Sequence, residues 1–282
     1  MNTIAMLLRH SAIDAVDARV LLRTTLGVSD AHLIAHASDA LAADHAEKFA
    51  ALVARRAAGE PVAYLVGERE FYGRTFAVSP AVLIPRPETE LLVELTLERL
   101  PRNEAKRVLD LGTGSGCIAI SIALERRTAQ LTATDKSAAA LTLARQNAQQ
   151  LGARNVAFKT GDWFDALHED RGEKYDLIVS NPPYVAEGDA HLAQGDLRFE
   201  PASALSASLD GYACLNAIVD GARAHLNRGA WLLMEHGHDQ AASCRNRLRA
   251  AGYGEVQSWR DLAGIERVSG GTFDDTWPVP VN

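Results

Sequence analysis

The chain has 282 residues, of which 47% are hydrophobic and 23% charged, and its formal net charge is −7 at pH 7. This length allows one large domain or two ordinary ones, and the composition is typical of a folded globular protein. The negative charge argues against broad non-specific binding to a nucleic-acid backbone, which requires a basic surface.

The cysteines and the apolar segments indicate the compartment. Cys117, Cys214 and Cys244 lie far apart and form no Cys-x-x-Cys pair, which disfavours a disulfide framework or a zinc site and fits a reducing compartment. The apolar stretch from Ile4 to Leu8 is too short for a signal peptide, and no segment reaches the roughly 18 apolar residues that span a bilayer. We therefore expect a cytoplasmic protein.

Residues 3–60 predict a small bundle of amphipathic helices, because apolar residues recur there at spacings of three and four. The longest predicted helix runs from Ala43 to Ala58. His32 and His36 have the spacing of a metal-binding pair, but no third ligand accompanies them, so surface or capping roles are favoured. No metal site is predicted.

Two short patterns follow the helical region. Phe71 to Val78 predicts a β-hairpin that turns near Gly73. In the segment from Leu83 to Glu90, here called the strap, two prolines bracket an arginine just before a predicted helix. The strap is either a linker with a well-formed helix start or a rigid connection that places Arg86 and Thr89 near a pocket of the next domain.

After residue 106 the chain alternates strands and helices, which predicts an α/β domain. The connection from Tyr184 to Asp210 is the longest, and a loop of that length inside a domain is typical of a functional or mobile segment. Strands are predicted at 107–111, 130–135, 155–159, 175–180, 230–235, 254–259 and 265–270, and helices at 116–126, 137–151, 212–226 and 239–251.

A glycine-rich loop closes the first of these strands. Glycines let the backbone turn sharply and approach a ligand, and the N–H groups of the following helix attract an anion. A dinucleotide fingerprint would need its third glycine at position 117, which is cysteine, so the tighter spacing favours S-adenosylmethionine. The loop residues are Gly112, Thr113, Gly114, Ser115 and Gly116, with Asp110 two positions before them.

Two further strand ends carry polar or aromatic residues. Asp135 follows the glycines by about twenty residues and can accept both hydroxyl groups of a ribose, with a helix-capping role as the alternative. Asp162 and Trp163 suit an adenine, since the carboxylate can bond its exocyclic amine and the indole can cover its face, although a core tryptophan is the alternative.

The fourth strand ends at Asn181-Pro182-Pro183-Tyr184. Each proline fixes its own φ and restricts the preceding residue, so the carboxamide of Asn181 is held by a stiff backbone. Such a group can accept the N–H bonds of a planar, nitrogen-bearing substrate on which the aromatic residue stacks. The alternative is a strand end followed by an ordinary proline turn.

These motifs together resemble the bacterial release factor glutamine methyltransferase (PrmC/HemK) family over nearly the whole chain. The resemblance is carried by residues 61–73, the strap, residues 110–116, Asn181 to Tyr184, and Leu262 to Val268. It implies a class I, Rossmann-like methyltransferase domain with a seven-stranded mixed sheet, preceded by a helical bundle and a β-hairpin linker. The implied boundaries are a substrate-recognition domain at 1–68, the linker at 69–86 and the methyltransferase domain at 87–282.

The resemblance also implies the reaction and the roles of the residues. A methyl group would pass from S-adenosyl-L-methionine to the side-chain amide of the glutamine in the Gly-Gly-Gln motif of class 1 peptide-chain release factors, with S-adenosyl-L-homocysteine as product. We expect these proteins as partners of a monomer that contacts neither nucleic acid nor membrane directly. The implied cofactor-binding residues are Gly112, Thr113, Gly114, Ser115, Gly116, Asp135, Trp163 and Asn181; the implied catalytic residues are Asn181, Pro182 and Tyr184; the implied substrate-binding residues are Asn181, Pro182, Pro183 and Tyr184.

Positioning accounts for most of the expected catalysis. If the side-chain oxygen of Asn181 and the backbone carbonyl of Pro182 each accept one N–H, they favour an amide nitrogen whose lone pair points at the methyl group. The methylated amide is strongly acidic and loses its proton without a dedicated base. His236 and His238 are therefore expected to be supporting or surface residues rather than a base or metal ligands.

Two features depart from the family pattern. Ala207-Ser208-Leu209 stands before Asp210-Gly211 where many relatives have a double glycine, and the tail after Gly271 is particular to this chain.

Two other functions remain open at this point. A DNA or RNA adenine methyltransferase could use the same Asn-Pro-Pro-Tyr motif on a flipped base, although the acidic charge counts against it. A non-enzymatic module that binds a nucleotide-like ligand is the second.

Overall fold

The structure is a computed structural model that describes residues 3–168, 172–193, 195–206 and 211–274. Residues group into two compact units, Met1–Glu68 with Ala193–Phe199, and Arg69–Leu192 with Glu200–Asn282. Within the described ranges, no helix combines the length and the apolar composition needed to cross a membrane. The predicted boundaries at residues 68 and 86 remain a prediction.

The first unit is helical. A cluster of buried apolar residues, which includes Leu21, Leu22 and Phe49, forms its core. Asp14 caps the second helix by accepting from the backbone N–H of Val16, and a left-handed glycine ends that helix. The helices are α1 Ile4–Arg9, α2 Ala15–Leu26, α3 Asp30–Ala35, α4 Ala43–Ala57 and α5 Val62–Val66.

One segment from the long connection after Tyr184 also belongs to this unit. The guanidinium of Arg56 in α4 pairs with Asp17 at 2.6 Å and with Asp196 at 2.8 Å. The Arg198 guanidinium donates to the carbonyl of Ala58 at 2.7 Å. Residues 195–199 are therefore bound to helices that lie far earlier in the sequence.

The second unit begins with a hairpin, β1 Glu68–Phe71 and β2 Arg74–Ala77, and then contains a seven-stranded sheet in the order β5-β4-β3-β6-β7-β9-β8. The first five of these strands are parallel, and β9 is antiparallel to both of its neighbours. The sheet strands are β3 Arg107–Leu111, β4 Gln130–Asp135, β5 Val156–Thr160, β6 Tyr175–Ser180, β7 Leu226–Glu235, β8 Tyr253–Arg260 and β9 Glu266–Phe273.

Helices cover both faces of the sheet, so neighbouring strand residues contribute to different cores. Val108 and Val179 pack in one core, and Leu109 and Ile178 pack in the other. This alternation explains the near-continuous apolar runs of the parallel strands. The helices are α6 Glu90–Arg99, α7 Cys117–Glu125, α8 Ala138–Leu151, α9 Ala202–Leu205, α10 Ala213–His225 and α11 Ala241–Ala250.

The predicted fold class is confirmed, including the mixed seven-stranded sheet, the preceding helices and the hairpin. The main difference is β7, which begins at Leu226 instead of residue 230, because the chain bulges between its pairings with Tyr175 and Leu177 and Gly229 has a φ of +76°. The last strand also continues to Phe273. Residues 207–210, where the sequence differs from the family pattern, and the tail from residue 275 lie outside the described residues.

Candidate active site

The candidate site lies at the carboxyl edge of the sheet, where the ends of four parallel strands meet. β3 has β4 on one side and β6 on the other, which makes the space beyond its end a topological switch point. The glycine loop follows β3, Asp135 ends β4, Trp163 follows β5 and Asn181 follows β6. The four predicted strand ends therefore converge on one place.

Hydrogen bonds to β3 and β4 hold the glycine loop in place. Thr113 donates from its backbone N–H to the carbonyl of Thr134 at 2.8 Å and from its hydroxyl to Asp110 Oδ2 at 2.6 Å. At Gly116, with φ +83°, an added Cβ would lie 2.7 Å from the side chain of Ile120. Close packing of α7 beneath the loop thus requires glycine at this position.

Asp135 connects β4 to the glycine loop. Its Oδ2 accepts from the backbone N–H of Gly114 at 2.9 Å, and its Oδ1 accepts from that of Ser137 at 2.8 Å. Ser137 itself caps α8 by accepting from Ala140. Each carboxylate oxygen retains a further lone pair, so Asp135 can still accept from vicinal hydroxyl groups.

Trp163 has an unusual backbone conformation. Its φ of +45° is uncommon for a bulky residue, and such strain concentrates at ligand sites. The turn is tight, since a Cβ on Gly161 would lie 2.5 Å from the backbone nitrogen of Ala166. The indole reaches Gly112, where an added Cβ would be 3.6 Å from the ring. An apolar wall therefore stands directly beside the glycine loop.

The strap is held over the same edge. Glu200, whose side chain is fully buried, accepts from the backbone N–H of Ile84 at 3.1 Å and pairs with the guanidinium of Arg86. Arg86 and Thr89 both line the cavity described below. Of the two interpretations that the sequence left open for the strap, the structure supports the rigid connection to a pocket.

Asn181 and Tyr184 contact residues from other elements. Asn181 Nδ2 donates to Thr89 Oγ1 at 3.1 Å. Tyr184 donates from its hydroxyl to Oε1 of the buried Glu235 at 3.4 Å. Burial raises the pKa of the Tyr184 phenol, so it stays protonated and acts as a hydrogen-bond donor.

A cleft of about 920 Å³, including its open mouth, lies between these elements. Gly116, Pro182 and Tyr184 are not among its lining residues, since Gly116 packs against α7 and Tyr184 joins the core beside Glu235. The predicted site residues that do line it are Gly112, Thr113, Gly114, Ser115, Asp135, Trp163, Asn181 and Pro183.

The side chains that line the cleft fit S-adenosylmethionine. The buried hydroxyl of Ser115 has no partner among the described residues, although it lines the cleft. Asp135 offers acceptors for a ribose, and Trp163 an apolar wall for a flat ring. The Ser115 hydroxyl, the Asp135 carboxylate and the Trp163 indole line one cleft, and they match the polar and apolar parts of that molecule.

Among the described residues, Cys117 and His236 are not placed to act as a catalytic base. Burial raises the pKa of Cys117 to about 12, so its thiol stays protonated. His236 is buried and bonds through Nε2 to Ser269 Oγ at 2.8 Å, and His238 is exposed. His36 bonds to Asp39 at 2.8 Å, and the described part of the chain holds no group of three metal-ligating side chains.

Sequence reasoning missed Glu200 and Glu235. Glu235 ends an apolar strand just as Asn181 does, and this pattern could have indicated it. Glu200 lies in the long connection, and its partner Arg86 is 114 positions away, so no local pattern indicated it.

Comparison with known proteins identifies the family. Residues 2–67 match the model of the PrmC N-terminal domain, and residues 88–205 match that of the methyltransferase small domain. The hMettl16 catalytic domain, solved with a MAT2A 3′UTR hairpin, superposes with a TM-score of 0.59 at 18% identity over 81% of this chain and 83% of that one. A Thermus thermophilus 16S rRNA methyltransferase superposes with a TM-score of 0.54 at 20% identity over 73% and 49%. These two likenesses concern the fold.

Curated relatives are much more similar. The release factor glutamine methyltransferase of Bordetella pertussis is 55% identical over 96% of this chain and 99% of its own. The protein of the same name from Escherichia coli is 43% identical over 91% of both chains. The chain therefore belongs to the release factor glutamine methyltransferase family of S-adenosylmethionine-dependent enzymes.

Proposed function

We propose that this protein transfers a methyl group from S-adenosyl-L-methionine to the side-chain amide nitrogen of the glutamine in the Gly-Gly-Gln motif of class 1 peptide-chain release factors. S-adenosyl-L-homocysteine is the second product. The observation that supports this reaction most directly is the shared edge of the sheet, where Asn181 borders the cleft that fits the methyl donor.

The donor is held by the residues at the first three strand ends. Gly112 to Ser115 bring backbone N–H groups and the Ser115 hydroxyl to the cleft, Asp135 accepts from the ribose, and Trp163 covers the adenine. When bound, S-adenosylmethionine supplies an electrophilic methyl group. Asn181 contributes to both sites, since it lines the donor cleft and begins the Asn-Pro-Pro-Tyr motif.

The glutamine is positioned by the fourth strand end. Because Asn181 Nδ2 already donates to Thr89, its Oδ1 is the atom available to accept from the substrate amide. The Pro182 carbonyl accepts the second N–H, Pro183 borders the pocket, and Tyr184 stacks on the planar amide. Two acceptors at fixed positions hold the nitrogen with its lone pair directed at the methyl group.

The other parts of the proposal concern the setting. Residues 1–68 form the substrate-recognition domain, 69–86 the hairpin linker and 87–282 the methyltransferase domain of a monomer. The three free cysteines suit the reducing cytoplasm, where a translation factor would be met. A nucleic-acid substrate is not favoured, because the relatives with high identity carry the release factor name and the net charge is −7.

A labelling experiment with three acceptors tests the proposal. The protein is incubated with tritiated S-adenosylmethionine and an intact release factor, the same factor with alanine in place of the Gly-Gly-Gln glutamine, or duplex DNA. We expect label on the intact factor alone. Label on DNA, or equal label on the alanine factor, would contradict the proposed substrate.

A further inference from the structure

The register of two strands places a buried acid beside Asn181. Ser180 of β6 pairs with Met234 of β7, so the next residues, Asn181 and Glu235, leave adjacent parallel strands at the same edge. Glu235 is 1% exposed. A carboxyl group in such a place is unfavourable unless its interactions compensate, so its contacts point to a specific role.

Three side chains form a directed network that ends at Glu235. Asn181 Nδ2 donates to Thr89 Oγ1 at 3.1 Å. The Tyr184 hydroxyl donates to Glu235 Oε1 at 3.4 Å. The Thr89 hydroxyl interacts with the same carboxyl and lowers its pKa. A carboxylate only accepts hydrogen bonds. Because the Thr89 oxygen accepts from Asn181, the hydrogen of the Thr89 hydroxyl remains available to the Glu235 carboxylate.

This direction determines which end of the Asn181 amide faces the cleft. The oxygen and nitrogen of a carboxamide have nearly the same shape, so packing alone does not distinguish the two orientations. With Nδ2 held by Thr89, Oδ1 is turned away from Thr89, and it accepts no hydrogen bond from the residues that the structure describes. The wrong orientation would present a donor to the N–H groups of the substrate.

We propose that Glu235 is a positioning residue, which acts through Thr89 to orient the acceptor oxygen of Asn181 and through the hydroxyl of Tyr184 to hold the aromatic ring. This inference rests on the proposed function and adds two residues, Glu235 and Thr89, to the determinants of its methyl-transfer step.

The protonation state of Glu235 controls the network. Burial raises its pKa to about 7, while the Thr89 bond and Arg267 lower it and Glu88 raises it. Below that pH the carboxyl becomes a donor, and the fixed direction of the network is lost. The rate of transfer should therefore fall as the pH decreases through about 7. The charged or titratable groups that face Glu235 are Arg267 on β9, Glu88 in the strap, Tyr184 after β6 and Cys117 at the start of α7.

Matched variants test the assignment. Thr89→Val keeps the shape of the side chain and removes the hydroxyl, Thr89→Ser keeps the hydroxyl, and Glu235→Gln removes the ionisable group. For each variant, kcat and KM for a release factor are measured from pH 6 to pH 9, with melting temperature and affinity for S-adenosylhomocysteine as controls.

We expect Thr89→Val to lower kcat at least about 30-fold at pH 8, since misplacement of a reacting group by 1 Å can cost about a hundredfold. Its KM and its affinity for S-adenosylhomocysteine should change much less than kcat, because the substitution keeps the shape of Thr89 and most of the cleft is lined by other residues. Thr89→Ser should recover activity to within about fivefold. Glu235→Gln should lose the decrease in kcat at acid pH.

The opposite results would overturn the assignment. A Thr89→Val protein with wild-type kcat, or a Thr89→Ser protein as impaired as Thr89→Val, would exclude an orienting hydroxyl. If kcat still decreases at acid pH in Glu235→Gln, another group, such as Asp110, causes that decrease. This pH profile tests the assignment of Glu235 even if Thr89→Val does not fold. Wild-type protein that methylates no release factor would instead contradict the proposed function.

Discussion

In the proposed reaction Asn181 positions the substrate, because the glutamine amide is a poor nucleophile whose reactivity depends on its position. Its backbone is stiffened by two prolines, and its side chain is fixed by Thr89. Neither feature requires an ionisable catalyst. The buried thiol of Cys117, with a pKa of about 12, and the internally bonded His236 agree with a mechanism that uses no general base.

Replacement of Asn181 separates positioning from donor binding. Asn181→Ala should lower methyl transfer to a release factor at least about a hundredfold, because positioning commonly contributes that much. Affinity for the donor should change only a few-fold, since most of the cleft is lined by other residues. Turnover assays and calorimetric titration with S-adenosylhomocysteine measure the two effects. Unchanged turnover would contradict the role of this residue.

At the residue scale, the predictable part of the site consists of side chains that end an apolar strand. Asp135, Trp163 and Asn181 follow such strands, and the structure brings them to one edge. Thr89 and Glu200 depend on contacts across 92 and 114 positions, which no local pattern encodes. The sequence left open whether the strap is a linker or approaches a pocket, and the acids that hold it at the pocket required three-dimensional information.

At the scale of elements, Asn147 in α8 joins the hairpin to the glycine loop. Its Oδ1 accepts from the backbone N–H of Ala77 at 2.8 Å, and its Nδ2 donates to the carbonyls of Ala77 at 3.0 Å and Ser115 at 2.9 Å. Asn147 is fully buried, so water cannot replace these bonds. The hairpin is therefore part of the support of the donor site, beyond its place as a linker in the chain.

Removal of the Asn147 amide should affect stability and donor binding together. Asn147→Ala leaves three backbone groups without a partner, and each buried unsatisfied group costs about 1–3 kcal/mol. Asn147→Asp should be worse above pH 7, because its carboxylate would face two carbonyl oxygens. Urea unfolding and donor titration measure both effects. A fully stable Asn147→Asp protein would show that the network is dispensable.

Element boundaries were predictable where glycine ends a helix or a polar residue begins one. Gly152 ends α8 with a φ of +75°, and the strands β3, β4 and β6 coincide with the predicted ranges. The start of β7 was misjudged because Gly229 interrupts the apolar pattern while the strand continues through a bulge. Pairing between strands overrides the local signal there.

At the scale of the whole molecule, two buried carboxyls make the free energy of unfolding depend on pH. Burial raises the pKa of Asp110 to about 7 and that of Glu235 to about 7. In the unfolded chain both titrate near 4. Between these values the folded state binds more protons than the unfolded state, so the free energy of unfolding decreases as the pH rises.

This sign predicts a measurable pH dependence of stability. From pH 6.5 to pH 8 the free energy of unfolding should decrease until both carboxyls are ionised, by about 1 kcal/mol per group, since a full pKa unit corresponds to about 1.4 kcal/mol and the groups are already partly ionised at pH 6.5. The buried His236, whose pKa burial lowers, acts in the opposite sense at more acid pH. Urea unfolding at both pH values measures the change, and Glu235→Gln should reduce it. A rise in stability over this interval would contradict the raised pKa values of these two buried acids.

The path of the chain between the two units has a consequence for recombination. Arg56 in α4 binds Asp17 and Asp196, and Asp196 lies in Ala193–Phe199, which groups with the helical unit although its flanking residues belong to the other unit. The helical unit is thus encoded by two separate stretches of the gene. A chimera that exchanges only residues 1–68 between homologues would combine an arginine from one parent with an aspartate selected in the other. A coherent exchange must carry residues 193–199 with it.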